Sequence, residues 1–496
     1  MTITATAVRA AKALSRTTSL CTACKQGIPA EIVELEGKII MRKRCPRHGP
    51  QEIMLSSDAA WYHRTLAFGA VLKAPRNVKN EVKTGCPYDC GACESHQQSV
   101  YLPVIPITSA CNLDCPICYT INKNEGAFHM SLDEFARTLE VIRRNDPDMK
   151  IINLTGGEPT RHPQLTRIVR LCHEAGIHRV TISTHGLTFL HDEAMLQELA
   201  ELRARMVLSF DSFDDKVNMR MIGANCTSAK MRVLDQFARY NVDTTLIPVI
   251  ALGVNDHELG RLVELVLGRD NIRSLEIHTM TFTGQGGTGF DARSRITPPD
   301  VLREIERRTD GAIRMDDFVP SPCAHPLCYQ TCYLLQTRGG NAGGRFVPFT
   351  RFMTRENVRE LLTDNLYIEP GEKMERVLQG VISELWAMEI PTDTATEVLA
   401  TLKRLIQDLF PSRALPYAEQ QVLAERASKA IYLHSHMDEG NFDTDRIRQC
   451  CVGVPSADGG NVPTCSYNIL YRARDSRFSA VPQTPLAEFP GGRKEW

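Results

Sequence analysis

Cysteine constrains this chain more than any other residue: of its 17 cysteines, all but Cys172 and Cys226 fall into tight groups. The groups are Cys21 and Cys24 with Cys45; Cys86, Cys90 and Cys93; Cys111, Cys115 and Cys118; Cys323, Cys328 and Cys332; and Cys450 and Cys451 with Cys465. An odd total in clustered spacing argues against a disulfide framework and for bound metal. Cys172, in the helical stretch "LTRIVRLCHEAG", and Cys226, after "MIGAN", read as packing thiols.

The rest of the composition narrows the class. A chain of 496 residues suggests about three domains, and 43% hydrophobic residues suffice for sizeable cores. With 58 basic and 59 acidic residues mixed throughout, nothing presents a face for nucleic acid. No apolar run reaches the roughly 18 residues of a spanning helix, which leaves peripheral contact with lipid open. Residues 1–20 carry Arg9, Lys12 and Arg16 and no acid; this resembles a transit peptide in composition but reads as a flexible N-terminus.

The organisation changes along the chain. Residues 21–97 read as a Cys-rich module of short strands and turns, with "EIVELEGKIIMRKRC" a hairpin turned at Glu36 and Gly37. Over 98–310, β-type stretches ("YLPVIPITSA", "KIINLTGG", "RVTISTHG", "RMVLSF", "TTLIPVI", "RSLEIHTM") alternate with helical ones. Six β-then-α units imply a parallel sheet curled into a partial barrel, an α/β fold. Ser131 with Glu134 forms a capping-box pattern, and Thr297 before Pro298 marks another helix start. Residues 311–496 read as a mainly helical extension, helical from about 354 to 435, with a Gly/Pro/Asp-rich tail bearing the last three cysteines.

In "CNLDCPICY", Cys111, Cys115 and Cys118 sit in the loop after the first barrel strand. Three thiolates bind three irons of a 4Fe-4S cube and leave the fourth iron open for a ligand. In a β/α barrel, loops at the C-terminal strand ends are where catalytic groups belong. A zinc site fits this trio poorly, because zinc ordinarily takes two paired Cys or His groups.

On these residues the chain resembles the radical S-adenosylmethionine (radical SAM) superfamily, with the resemblance covering about 98–290. Gly156, Gly157, Glu158 and Pro159 end the second strand where the superfamily lines the methionine end of SAM. Glycines there admit a close polar approach, and Glu158 is placed for a charge-assisted hydrogen bond. Carried over likewise, Ser183 in "STHG", Ser209 and Asp211 in "SFDS", and Val249 and Ile250 in "IPVIALGVND" match the ends of later strands that contact SAM. The resemblance implies a (β/α)6 barrel in which SAM, bound to the open iron, is reductively cleaved to methionine and a 5′-deoxyadenosyl radical that takes hydrogen from an unactivated carbon. The cofactor carries the hard chemistry; the protein excludes water and fixes geometry. His185, His278 and Asp211 are candidate polar groups in the barrel mouth.

Cys86, Cys90 and Cys93 in "CPYDCGAC" share the three-then-two spacing, yet no second "GGEP" accompanies them, so they read as ligands of an auxiliary cluster rather than a second SAM site. Cys323, Cys328 and Cys332 read as ligands of another, with Cys450, Cys451 and Cys465 able to donate fourth ligands. Cys21, Cys24, Cys45 and His48 have the spacing of a tetrahedral mononuclear site for zinc or, in a rubredoxin-like variant, iron; His48 as a plain turn residue is the alternative. "CTAC", "CPRHG", "CPYDCGAC", "CNLDCPIC", "LTGGEPT" and "FTGQGG" in this order resemble the multi-cluster radical SAM group that includes tetraether lipid synthase and dihydropterin C-methylase-like proteins. That implies C–C bond formation or C-methylation of a lipid or pterin-like substrate and a low-potential donor such as a flavodoxin or ferredoxin. A radical SAM peptide maturase is the alternative, and a non-catalytic electron carrier, which needs neither "GGEP" nor an open iron, the remote one. Exposed-type cluster thiolates call for a reducing, cytoplasmic setting.

Overall fold

The computed structural model describes residues 11–120, 126–287, 289–337, 345–387 and 393–478. Glu36 and Gly37 adopt φ values of +51° and +74°, the twist a tight two-residue hairpin requires, and join β2 (Gly27–Leu35) to β3 (Lys38–Cys45). With β1 (Lys12–Leu20) and β4 (Gly49–Ser56) they form a four-stranded antiparallel ribbon. The expectation of a flexible end through residue 20 is corrected here: β1 pairs along β2 from Lys12 and buries Leu20. Residues 1–10, with Arg9, lie outside the described residues.

Lys43 anchors the ribbon to the far end of the chain. Its buried ammonium donates to Ser19 Oγ (3.0 Å) and to the carbonyls of Leu20 (2.6 Å), Glu439 (2.8 Å) and Gly440 (2.7 Å). Four acceptors replace the water the ammonium has lost, although burial still lowers its pKa to about 8. α1 (Ala59–Ala67) follows, capped by Asp58 on the Trp61 N–H, and residues 68–101 then run irregularly past Cys86, Cys90 and Cys93.

The barrel strands β5 (Leu102–Thr108), β6 (Ile151–Gly156), β7 (Arg179–Thr184), β8 (Arg205–Ser209), β9 (Thr244–Ile247), the short β10 (Val249–Ile250) and β11 (Ile272–Thr279) are parallel. Between them run α2 (Leu132–Asn145), α3 (Leu165–Glu174), α4 (Glu193–Glu201), α5 (Asp215–Ile222), α6 (Thr227–Arg239) and α7 (Leu259–Gly268), and α8 (Pro298–Arg308) follows. Ser131 caps α2 on the Glu134 N–H, and Asp300 bonds back to Thr297 N at the start of α8. The strands alternate by face: in β7, Val180 and Ile182 pack against the helices while Thr181 and Ser183 line the interior. A polar inner face is thus written into the sequence of these strands. Cys172 and Cys226 are buried among apolar side chains, as packing thiols should be.

The C-terminal part adds β12 (Val319–Pro320), β13 (Tyr329–Thr337), β14 (Arg345–Pro348), helices α9 (Arg355–Leu362), α10 (Glu372–Trp386), α11 (Asp393–Leu409) and α12 (Tyr417–Arg426), then β15 (Ser428–His434), α13 (Thr444–Arg448), β16 (Val452–Pro455), β17 (Asn461–Pro463) and α14 (Thr464–Ser466). Helix to about 435 is therefore corrected: β15 inserts parallel to β11 and antiparallel to β13, while β16 lies parallel to β5 on the opposite side. The six-strand barrel grows into one thirteen-stranded sheet. α10 buries Met374, Val377, Leu378, Val381 and Leu385 in a second core, so its apolar stripe serves packing.

Candidate metal centres and the barrel chamber

The cluster loop and the "GGEP" turn are one structural unit. Gly157 N–H donates to Thr108 O (2.8 Å) and Glu158 N–H to Ala110 O (2.7 Å), tying the end of β6 to the start of the loop that carries Cys111, Cys115 and Cys118. A Cβ on Gly156, whose φ is +147°, would stand 2.1 Å from Thr108 O, and one on Gly157 2.3 Å from Ala110 O, so only glycine allows this approach. Arg472, from the C-terminal segment, donates to Gly156 O at 3.4 Å.

Glu158 is engaged within the protein. Its buried carboxylate accepts from Thr160 N (3.1 Å), Thr160 Oγ1 (2.8 Å) and Thr184 Oγ1 (2.7 Å) through Oε1 and from His185 N (2.9 Å) through Oε2. It locks the ends of β6 and β7 together. His185 carries the lock to the cluster loop through Nε2 and Asn112 Oδ1 (2.7 Å). Asp211, buried at the end of β8, accepts from Val249 N (2.9 Å) and lies 3.9 Å from the buried Nζ of Lys230, which also reaches Ser209 Oγ at 3.3 Å. Asn255 donates to the carbonyls of Asp211 and Val249 (2.8 Å each), so the "SFDS" and "IPVIALGVND" segments share one network. Ser183 faces the interior, bonded to Asn153 Oδ1 (3.1 Å).

The sulfur geometry separates the metal sites. In the ribbon, His48 Nδ1 lies 3.4 Å from the sulfurs of both Cys21 and Cys45, and Cys24 and Cys45 sulfurs are 3.9 Å apart. Ligands of one tetrahedral ion stand about 3.5–3.8 Å apart. These four residues fit a single zinc. Among the described residues only this set and one of histidines bring three or more donors within 4.8 Å of one another. The sulfurs of Cys111, Cys115 and Cys118 are neighbours yet too spread for one ion, the arrangement expected where each holds a different iron of a cluster. Burial pushes the Cys111 thiol up to about 11, and burial with the neighbouring Cys118 raises that of Cys115. Iron binding there displaces protons.

Cys86, Cys90 and Cys93 also gather; burial raises Cys86 to about 12, with Arg448 opposing. Cys328, Cys450 and Cys465 form a further neighbourhood, where Arg446 Nη2 donates to Cys328 Sγ and Met437 N–H to Cys465 Sγ, each at 3.4 Å. Cys323 and Cys451 sit beside it, buried, 3.8 Å apart. The expected grouping of Cys332 with Cys323 and Cys328 is corrected: on β13 it points to the barrel core with Leu334, whereas Tyr329, Tyr333 and Leu335 face the C-terminal core that Cys323 and Cys328 join. Strand alternation sends it to the other face.

Inside the barrel lies a chamber lined by Asn153, Thr181, Ser183, Glu276, Tyr329 and His434 among others. His278 opens onto it as expected; His434, His436, Glu276 and Tyr119, stacked on His436 at 5.2 Å, had not been singled out. The signal for the histidines was "HSH", two imidazoles on one face at the end of a strand.

The family profile described as the radical SAM superfamily matches residues 105–266, and one described as the HMPTM N-terminal zinc ribbon domain matches 13–57. The Methanocaldococcus jannaschii protein 7,8-dihydro-6-hydroxymethylpterin dimethyltransferase is 30% identical over 94% of this chain and 96% of its own length. The chain belongs to the radical SAM superfamily. This radical SAM enzyme is also 31% identical, over 34% of its chain and 45% of the relative, to the tungsten-containing aldehyde ferredoxin oxidoreductase cofactor-modifying protein of Pyrococcus furiosus. Among solved structures, Streptococcus suis SuiB bound to precursor peptide SuiA aligns with a TM-score of 0.36 at 19% identity, over 43% of this chain and 46% of that one. The superfamily's 4Fe-4S cluster and SAM are this enzyme's cofactors. No helix among the described residues is long and apolar enough to cross a membrane.

Proposed function

We propose that this enzyme C-methylates a pterin-like substrate held in the barrel chamber. The observation that carries this is end-to-end similarity to a pterin dimethyltransferase, ribbon and C-terminal part included. The lining supports it: a pterin presents hydrogen-bond donors and acceptors around a flat ring, and Asn153, Thr181, Ser183 and Glu276 offer partners while Tyr329 and Tyr432 offer aromatic surface. When bound, the cluster and SAM would supply the radical that takes a hydrogen atom from an unactivated carbon; the methyl group that replaces that hydrogen would come from a separate methyl donor, a second SAM molecule in the test below, with a second electron from the reductant. Cys111, Cys115 and Cys118 are the residues to hold that cluster, and the Gly156–Gly157 backbone, Ser183, Ser209 and Asp211 those nearest SAM. Glu158 and His185 keep loop and turn in one arrangement. Cys86, Cys90 and Cys93 hold one auxiliary cluster; Cys328, Cys450 and Cys465, with Cys323 or Cys451 as a fourth ligand, hold another. A low-potential donor such as a flavodoxin or ferredoxin supplies the electron, in a reducing cytoplasm.

The test is anaerobic incubation of reconstituted enzyme with SAM, a strong reductant and 7,8-dihydro-6-hydroxymethylpterin, read by mass spectrometry. A pterin heavier by one or two methylene masses is expected. 5′-Deoxyadenosine without any change in the pterin, when a lipid extract or a peptide is modified instead, contradicts the reading.

A further inference from the structure

Besides the ribbon's four metal ligands, one other group of donors meets among the described residues: His278, His434 and His436 each place a donor nitrogen within 4.8 Å of the others. We propose that these three histidines form a second mononuclear metal site, for Zn²⁺ or Fe²⁺, on the chamber wall with one coordination position open to the cavity.

Three separate features of the fold build this cluster. His278 is the penultimate residue of β11 and His434 the last of β15, and the two are partners in the parallel register although 156 residues apart in sequence. His436, two residues beyond His434, returns to the same face. Ring centroids stand 3.9 Å apart for His434 and His436, 4.7 Å for His278 and His436, and 5.3 Å for His278 and His434. Nitrogens around one tetrahedral ion stand about 3.3 Å apart, so closing the set onto an ion takes ring rotations and a parting of the stacked His434 and His436 rings.

The surroundings are those of metal-bound histidine. Glu276 Oε1 lies 3.3 Å from His278 Nε2 and 3.9 Å from His434 Nδ1, the carboxylate support that fixes tautomer and ring orientation at metal sites. Tyr119 stacks on His436, and Cys465 Sγ lies 3.7 Å from His436 Nδ1. Three protein ligands is the number that catalytic sites use, keeping one position free. All three histidines line the chamber, so that position takes an oxygen or nitrogen donor of its occupant. A carbonyl oxygen or ring nitrogen of a pterin meets this need, a clause that rests on the proposed function; the metal site itself does not.

The test is zinc content and zinc-edge X-ray absorption of the full-length, cluster-loaded enzyme after exposure to Zn²⁺ alone, with the ribbon site removed by Cys24→Ser. The account expects about one zinc per chain, with nitrogen and oxygen neighbours only, at about 2.0–2.1 Å. Adding His434→Gln or His278→Asn should drop zinc to background while iron content stays unchanged. No zinc above background in Cys24→Ser, sulfur in the zinc shell, or a full zinc complement in both histidine variants overturns the proposal. Should Cys24→Ser lose iron as well, the comparison is made with the ribbon intact, where two zinc ions must fall to one in His434→Gln. Pterin conversion is not read, so this result and that of the proposed function stand or fall separately.

Discussion

The ribbon and the barrel mouth both present cysteines two or three residues apart, yet they are prepared for different metals. In the ribbon, two tight turns, between β1 and β2 and between β3 and β4, bring four donors to 3.4–3.9 Å. Burial opposes ionisation of Cys21, but the amides of Cys24 and Ala23 and the side chain of Gln51 outweigh it and bring its pKa to about 6. A thiolate waits there for one ion. At the barrel mouth the loop spreads Cys111, Cys115 and Cys118 apart, and burial pushes Cys111 up to about 11. The shape of the backbone between cysteines, more than their spacing, decides whether they meet on one ion or divide among the irons of a cluster.

The comparison can be broken at the barrel first. Glu158→Gln, with its amide nitrogen in place of Oε2, faces the His185 N–H instead of accepting from it; losing that one of four bonds at about 1.5 kcal/mol predicts a roughly tenfold fall in SAM cleavage with iron retained. Wild-type formation of 5′-deoxyadenosine in this variant would show that the lock does not matter. Cys24→Ser should remove one metal ion and the hydrogen-exchange protection of β2 and β3, because metal affinity at such a site is folding energy, while cluster iron is kept. Protection unchanged without the metal would make the site dispensable for the ribbon. Cys332→Ala sharpens the comparison from the other side: iron should be unchanged and stability lower by about 1–2 kcal/mol in denaturant unfolding, since the thiol packs in the core. Loss of iron would return it to the ligand set. The smallest effect concerns protons. Because the Cys21 pKa is lowered, zinc binding at pH 7 should release fewer protons than three thiols hold, and release should rise and affinity weaken as pH falls through about 6. Calorimetry in buffers of different ionisation enthalpy reads this, and release independent of pH would contradict it.

The barrel was legible because each strand is followed by its own helix, and start signals such as Ser131 and Thr297 mark the boundaries. The ribbon hairpin was legible at Glu36 and Gly37 for the same local reason. β15 was not: it follows four helices and pairs with a strand about 150 residues earlier, and nothing local announces such a partner. Cys332 misled because spacing in sequence ignores strand alternation. Lys230 lies on the helical stretch "SAKMRVLDQ", and only the tertiary structure shows it buried against Asp211 and Ser209. The histidine cluster needed both β15 and its register with β11 before it existed at all.

Whether the barrel-mouth trio alone cleaves SAM is decided by measuring iron, 5′-deoxyadenosine and product on two variants side by side. Replacing Cys86, Cys90 and Cys93 with Ala should remove about four irons per chain, leave SAM cleavage largely intact and stop substrate conversion. Replacing Cys111, Cys115 and Cys118 should remove a similar amount of iron and abolish 5′-deoxyadenosine. If the first variant loses SAM cleavage while folded and still holding the Cys111 cluster, the assignment is wrong, and the Cys86 group either binds SAM itself or carries the electron to it.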